Sequence, residues 1–108
     1  MKTEKLLGKI TSAEFGQVKD RKYLFGLQLT FRMGNYGTST DQYCENISEE
    51  CDWGEDARQI AITKTIDGIN KILTDAKCHY VSQLVNKPVE VTFEGNTFKD
   101  FRILTEVL

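Results

Sequence analysis

The feature that most constrains the fold of this 108-residue chain is an alternation of apolar and other side chains over residues 23–33. Successive side chains of a strand point to opposite faces, so a period of two predicts a β-strand with one face buried. The apolar face of this strand carries Phe25, Leu27, Leu29, Phe31 and Met33. A chain with such a strand has to supply partner strands and a layer that covers the apolar face.

A weaker strand pattern precedes this run, over residues 10–15. The segment between the two, residues 16–22, is polar enough to reverse the chain. The sequence therefore predicts a hairpin at this point.

A second hairpin is predicted after the run, because Gly34 and Asn35 both tolerate the positive φ of a tight two-residue turn. Such a turn brings residues 36–43 back along the apolar strand. The predicted pairs are Met33 with Tyr36, Phe31 with Thr38, and Leu29 with Thr40. This third segment is unusually polar, and the alternative is that residues 34–54 form a long mobile loop.

The pattern changes to a helical period from Asp52 onwards. Asp52 and Glu55 resemble a capping box at the start of a helix. Gly68, inside the helix, predicts close packing against the sheet. A further short turn of helix is expected over residues 80–85, ended by Pro88. The stripe predicted to face the core comprises Ile62, Ile66, Ile69, Leu73 and Ala76.

Two more strands are predicted over residues 89–94 and 101–107. A two-residue turn at positions 95–96 would place charged side chains on the apolar face of this hairpin. We therefore predict a three-residue turn, 95–97, with a bulge at the glycine. In that register Val91 pairs with Phe101, and Val89 pairs with Ile103.

These elements follow in the order β-β-β-α-β-β. This order favours an α+β fold: an antiparallel sheet of about five strands packed against one main amphipathic helix, in a single domain over residues 1–108. The edges of such a sheet need protection, so we expect a homodimer. No stretch is apolar enough to span a membrane and no signal-peptide core is present, so the expected location is the cytoplasm.

Patterns for catalysis or metal binding are weak. His79 is the only histidine and directly follows Cys78, and neighbouring side chains diverge, so the pair is not expected to act as base and nucleophile. Cys44 and Cys51 would complete a set of zinc ligands, but their spacing is wider than that of structural zinc sites. We therefore expect a non-enzymatic protein without a cofactor, with a small metal-binding protein as an alternative.

The pattern most typical of a binding site is a polar strand that has aromatic residues at its ends. Flat rings beside hydroxyl groups suit a planar polar ligand, such as a nucleobase, or a contact point for another protein. Basic residues of the preceding turn would meet phosphates on the same edge of the sheet. The candidate ligand- or partner-binding residues are Arg21, Lys22, Tyr36, Thr38, Thr40, Tyr43 and Trp53.

Charge is unevenly distributed. No Lys or Arg lies between Arg32 and Arg58, whereas this interval is rich in acidic residues. One interpretation is a solvated loop and helix start, and the other is a surface for a basic partner. The net charge of −2 does not favour nucleic acid. A nucleic-acid-binding accessory role is therefore the alternative, through Lys19, Arg21, Lys22 and Arg32 with stacking on Tyr23 and Tyr36.

The C-terminal run LVNKPVEVTFEGNTFKDFRILTEVL, with the upstream segments AEFG, YLFGLQLTF and WGEDAR, resembles small uncharacterised proteins encoded by bacteriophages and prophages. The likeness is clearest over residues 81–108 and includes no catalytic motif. The resemblance implies a phage protein that acts in the cytoplasm of the host bacterium by binding. It would inhibit a host defence system, either by sequestering a small nucleotide signal or by blocking a host defence protein.

Overall fold

The computed structural model of the protein describes residues 2–47 and 56–108. Its strands are β1 (Thr3–Val18), β2 (Arg21–Met33), β3 (Tyr36–Asn46), β4 (Pro88–Glu94) and β5 (Thr97–Ile103), and helix α1 (Ala57–Asp75) separates β3 from β4. Two short 3-10 helices are formed by Val81–Leu84 and Thr105–Val107. The predicted α+β class, a five-stranded antiparallel sheet with one main helix, is confirmed. No helix in these residues is long and apolar enough to cross a membrane.

Strand β1 lies at the centre of the sheet, whose order is β3-β2-β1-β4-β5. Its first half, residues 3–9, pairs with β4, and its second half, residues 9–18, pairs with β2. Three strands joined by hairpins are thus followed by a fourth that returns to lie beside the first. This connectivity is a Greek key.

The sheet curls until its two edge strands come together. In a flat sheet β2 and β5 would lie about 14 Å apart, and β3 and β5 about 19 Å apart. Instead the ring centroids of Phe31 in β2 and Phe101 in β5 are 4.7 Å apart, and those of Tyr43 in β3 and Phe101 are 6.2 Å apart. The side-chain Nε2 of Gln42 in β3 donates to Asp100 Oδ1 in β5 (3.5 Å). The apolar face is therefore enclosed mainly by the sheet itself, with α1 packed against β3.

The predicted hairpin between β2 and β3 is confirmed. Met33 pairs with Tyr36, Phe31 with Thr38 and Leu29 with Thr40. The loop alternative is wrong for residues 36–46, which form a strand, and residues 48–54 lie outside the described part of the chain. A bulge opposite Leu27 and Leu29 then shifts the register by one, so that Tyr43 shares the core-facing side with Tyr36.

The first strand is much longer than the predicted residues 10–15. Its N-terminal part has no clear alternation because most of its side chains are exposed, and it is held by backbone pairing with β4. The predicted hairpin between the first two strands is confirmed, and the chain reverses within the predicted residues 16–22. Its turn is shorter than predicted, because Val18 pairs with Arg21 and only Lys19 and Asp20 form the turn.

The predicted register of the C-terminal hairpin is confirmed, but the predicted turn is wrong. Val91 pairs with Phe101 and Val89 with Ile103, yet Thr97 already pairs with Glu94, which leaves a two-residue turn. The register is corrected by a bulge between Phe98 and Asp100 rather than at the glycine. The extra residue, Lys99, is exposed and forms an ion pair with Glu94 (2.6 Å). The bulge thus restores the apolar face and directs a charge to solvent.

Helix α1 contributes to the core only through its C-terminal half. Ile69, Ile72 and Ala76 are buried, whereas Ile66 is 50% exposed, so the predicted stripe is wrong in its first half and omits Ile72. The predicted packing at Gly68 is confirmed, because a Cβ there would lie 3.1 Å from the Tyr43 ring. The predicted capping box, Asp52 with Glu55, lies outside the described residues.

Candidate functional site

The β1–β2 hairpin ends in an arm, residues 16–26, that bends over the outer face of the sheet. Gly16 and Gly26 pair with each other at the bend. Asp41 lies in the β3 bulge opposite Gln28 of β2. Arg21 is seven residues before Gln28, and in a straight strand these two residues would be about 23 Å apart. Arg21 Nη2 nevertheless donates to Asp41 Oδ2 at 2.8 Å. The arm is therefore folded back, and the ion pair ties it to β3.

A polar groove of about 380 Å³ lies beneath this arm, on the outer face of β1, β2 and β3. The strand register places three hydroxyl groups in one row across it, and an amide and two carboxylates beside them. Hydroxyl groups both donate and accept hydrogen bonds, so this surface suits a polar ligand. The polar groove comprises Ser12, Glu14, Gln28, Thr30, Ser39, Thr40 and Asp41, with Arg21 at its edge.

An apolar groove of about 230 Å³ lies on the other side of the sheet, between the base of the arm, the end of β3 and the first half of α1. The Phe15 and Phe25 rings meet edge to face, with centroids 5.2 Å apart. Phe15 is 47%, Phe25 37% and Ile66 50% exposed. Contiguous exposed apolar surface of this kind makes the groove a candidate site of interaction. The apolar groove comprises Phe15, Phe25, Ile47, Ile62 and Ile66, with Glu45 and Thr65 at its rim.

Hydrogen bonds hold the rim of the apolar groove in place. The Thr65 hydroxyl donates to Glu45 Oε1 (2.7 Å), which joins α1 to β3. The Ile47 amide donates to the Tyr23 carbonyl (2.7 Å), and Arg58 Nη2 donates to the Ile47 carbonyl (3.0 Å). The groove is therefore preformed by three elements that are fixed to one another.

The predicted site residues do not form one cluster. Arg21 and Thr40 line the polar groove, and Lys22 is exposed on the arm. Thr38 pairs with the core residue Phe31. Tyr36 and Tyr43 lie away from the polar groove: the Tyr36 ring centroid is 5.7 Å from that of Phe93, and the Tyr43 ring packs on Phe101. Trp53 is outside the described residues.

The cations of the alternative nucleic-acid site are also divided. Arg32 lies beside the β2–β3 turn, where its Nε donates to the Gly34 carbonyl (3.1 Å). Lys19, Arg21 and Lys22 lie on the arm at the other end of β2. Among these, Arg21 is already paired with a carboxylate. A nucleic-acid strand would therefore meet no single basic surface formed by all four residues.

Of the residues that line the polar groove, sequence reasoning identified only Arg21 and Thr40, and it missed the apolar groove. Phe25, Ile62 and Ile66 follow the periods of a strand and a helix, so the sequence predicts that they face the core, and Phe15 is the last residue of the predicted strand over residues 10–15. These residues differ from core residues in lying outside the buried part of the strand or helix to which they belong. This difference is visible only in the tertiary structure. Ser39 lies in one row with Ser12 and Thr30 on the face of the sheet opposite the core.

The thiols that were candidates for metal binding are shielded. Burial raises the pKa of both Cys44 and Cys78, whereas a nucleophilic or metal-binding thiol needs a lowered pKa. Cys44 Sγ donates to the Leu27 carbonyl (3.5 Å), and the His79 amide donates to Gln83 Oε1 (2.8 Å). Within residues 2–47 and 56–108, no group of three His, Cys, Asp or Glu side chains is placed to hold a metal ion. Cys51 lies outside those residues.

The chain was compared with protein-family models, with curated proteins and with solved structures, and none of them matches it. The two grooves are therefore defined by their geometry and chemistry. One is a polar groove beneath the arm, and the other is an apolar groove with the Glu45 carboxylate at its rim.

Proposed function

We propose that this protein is a non-catalytic, phage-encoded inhibitor that blocks a host defence protein by occupying part of its surface. The observation that carries the proposal is the apolar groove, in which two phenylalanine rings and three isoleucine side chains line a preformed concave surface. Burial of exposed apolar area is the main favourable term in protein association. The resemblance of the C-terminal run to phage proteins supplies the biological context.

The volume of the groove is large enough for a single anchor side chain from a partner. A few large side chains that enter preformed pockets carry most of the binding energy, and the surrounding contacts exclude water. A volume of about 230 Å³ admits one aromatic side chain or two branched aliphatic side chains. The groove is therefore suited to receive an anchor residue from a partner.

We expect Ile66→Glu to weaken capture of the partner at least about tenfold, because it places a charge in the apolar groove. Tagged protein would be incubated with lysate of a bacterial host, the retained protein would be identified by mass spectrometry, and its Kd would be measured with purified components. Leu7→Glu is the matched control, because Leu7 is 68% exposed on β1 and is not part of the groove.

Equal loss of binding in both variants, or in neither, would contradict a role for the groove. Both replaced residues are at least half exposed, so both variants should keep the thermal midpoint of the wild type within a few degrees. A large drop in that midpoint for Ile66→Glu alone would make Phe15→Ser the variant to compare instead, because Phe15 is 47% exposed.

The polar groove favours a second candidate, the sequestration of a small nucleotide signal. Its volume of about 380 Å³ is within the range of small-molecule sites. In five-stranded, partly open Greek-key barrels the face of the second and third strands binds oligonucleotides and oligosaccharides, and this groove lies on β2 and β3 together with β1. Arg21 would bind a phosphate only after leaving Asp41.

We therefore expect Asp41→Asn to increase the thermal stabilisation given by a nucleotide that binds this groove, because the substitution frees Arg21 and removes a like charge from the phosphate. Cyclic nucleotides and ADP-ribose-type nucleotides would be screened by thermal shift against the wild type, Asp41→Asn and Arg21→Gln. A nucleotide present at 100 times its Kd stabilises by about 2.7 kcal/mol. If none of them stabilises either the wild type or Asp41→Asn, sequestration is eliminated.

A further inference from the structure

We infer that the apolar groove takes a protein segment in which a large apolar side chain is accompanied by a neighbouring lysine or arginine that reaches Glu45. This inference rests on the proposed function and specifies the chemistry of the partner. Two features of the groove carry it: the composition of its walls and the carboxylate at its rim.

The walls of the groove select the apolar anchor. The Phe15 and Phe25 rings meet edge to face, and Ile47, which follows β3, completes the lining together with two isoleucine side chains of α1. A polar side chain that entered this space would lose its hydrogen bonds to water and find few replacements. An aromatic or branched aliphatic side chain loses none, and it removes the exposed parts of both rings from water.

Glu45 selects the cation. This residue is half-buried and lines the groove, and its Oε1 accepts a hydrogen bond from the Thr65 hydroxyl, which lines the same groove. Within the described residues it forms no ion pair, and the nearby Arg58 donates to the Ile47 carbonyl instead. A partner that covers the groove removes water from this carboxylate. Such a loss is costly unless the partner supplies a positive charge.

The inference can be tested on the full chain with three probes of nearly equal shape: 4-phenylbutylammonium, 4-phenylbutanol and 4-phenylbutanoate. Each carries the same apolar ring, and they differ in the charge at the end of the chain. Binding would be followed by NMR through the methyl signals of Ile62 and Ile66, which line the groove. We expect saturable shifts with the ammonium probe tightest, the alcohol about fivefold weaker and the carboxylate weaker still.

Glu45→Gln isolates the charge, because its amide oxygen still accepts the hydrogen bond from Thr65. In this variant the ammonium and alcohol probes should bind within about twofold of each other. Glu4→Gln is the matched control: Glu4 is an exposed carboxylate on β1, outside the groove, and its removal should leave the order of the probes unchanged.

The inference would be overturned by equal affinity of the wild type for all three probes, by shifts that map away from Ile62 and Ile66, or by the absence of a saturable shift with any probe. Sedimentation in which the wild type dimerises and Ile66→Glu does not would assign the groove to a second copy of this chain, and would also overturn it. A captured partner whose affinity falls in Ile66→Glu but not in Glu45→Gln would keep the proposed function and reject the basic residue.

Discussion

Replacement of Gly26 with alanine is expected to lower the free energy of unfolding by about 3 to 5 kcal/mol. Gly26 lies at the bend of the arm, where β3 passes so closely that a Cβ would collide with the Tyr43 carbonyl oxygen and approach Cys44 Cα to 2.8 Å. Both neighbours are backbone atoms of a paired strand, so neither can rotate away. The φ of +154° adds strain for any residue with a side chain.

Gly16→Ala separates these two contributions. Gly16 pairs with Gly26 across the bend and has nearly the same φ, +157°, but a Cβ there would have no neighbour within 4 Å. We expect this variant to lose only the backbone part, about 1 to 2 kcal/mol. Urea denaturation of the wild type and both variants measures the difference. If both variants lost the same free energy of unfolding, the close approach of β3 to Gly26 would not contribute to the cost of Gly26→Ala.

The second large effect is expected at Phe31, whose replacement with alanine should cost about 3 to 5 kcal/mol. The Phe31 side chain is fully buried. Its ring centroid lies 4.7 Å from that of Phe101 and 5.9 Å from that of Phe98, so this side chain of β2 packs against β5, three strands away in the order of the sheet. Its loss would leave a cavity between β2 and β5.

Phe25→Ala is the control for this prediction, because Phe25 lies on the same strand and the same face but is 37% exposed in the apolar groove. We expect it to cost less than about 2 kcal/mol, since less area returns to water and no closed cavity forms. The same urea experiment, with the slope of the transition unchanged, would compare the two variants. A cost at Phe25 that equals the cost at Phe31 would place the groove within the core.

Local patterns predicted the parts of the fold that local chemistry controls. The alternation in β2 and the turn at Gly34 and Asn35 specify the β2–β3 register, because a slip of one residue would move every apolar side chain to the wrong face. The same argument predicted the pairing of Val91 with Phe101. It failed for the turn at Gly95, because a bulge further along the strand corrects the register equally well.

The candidate site was less predictable, because its residues come from segments far apart in the chain. Arg21 and Asp41 meet only because the arm folds back at Gly26, and nothing in their spacing indicates this contact. Phe15 and Ile66 carry the pattern of core residues, but each belongs to a part of its element that extends beyond the core. Whether such side chains are exposed depends on where the strand or helix that carries them extends past the strands and helix packed against it.

Side-chain period and turn chemistry act over a few residues, and they were enough to predict β2, β3, β4 and α1 and the apolar face of β2, β4 and β5. The length of β1, the curl of the sheet, the bend of the arm and the choice of apolar side chains that stay uncovered emerge only from the folded chain. These features depend on contacts between residues distant in the chain, such as Phe31 with Phe101 and Gly26 with the Tyr43 backbone. The two grooves on which the proposed function rests belong to this second group.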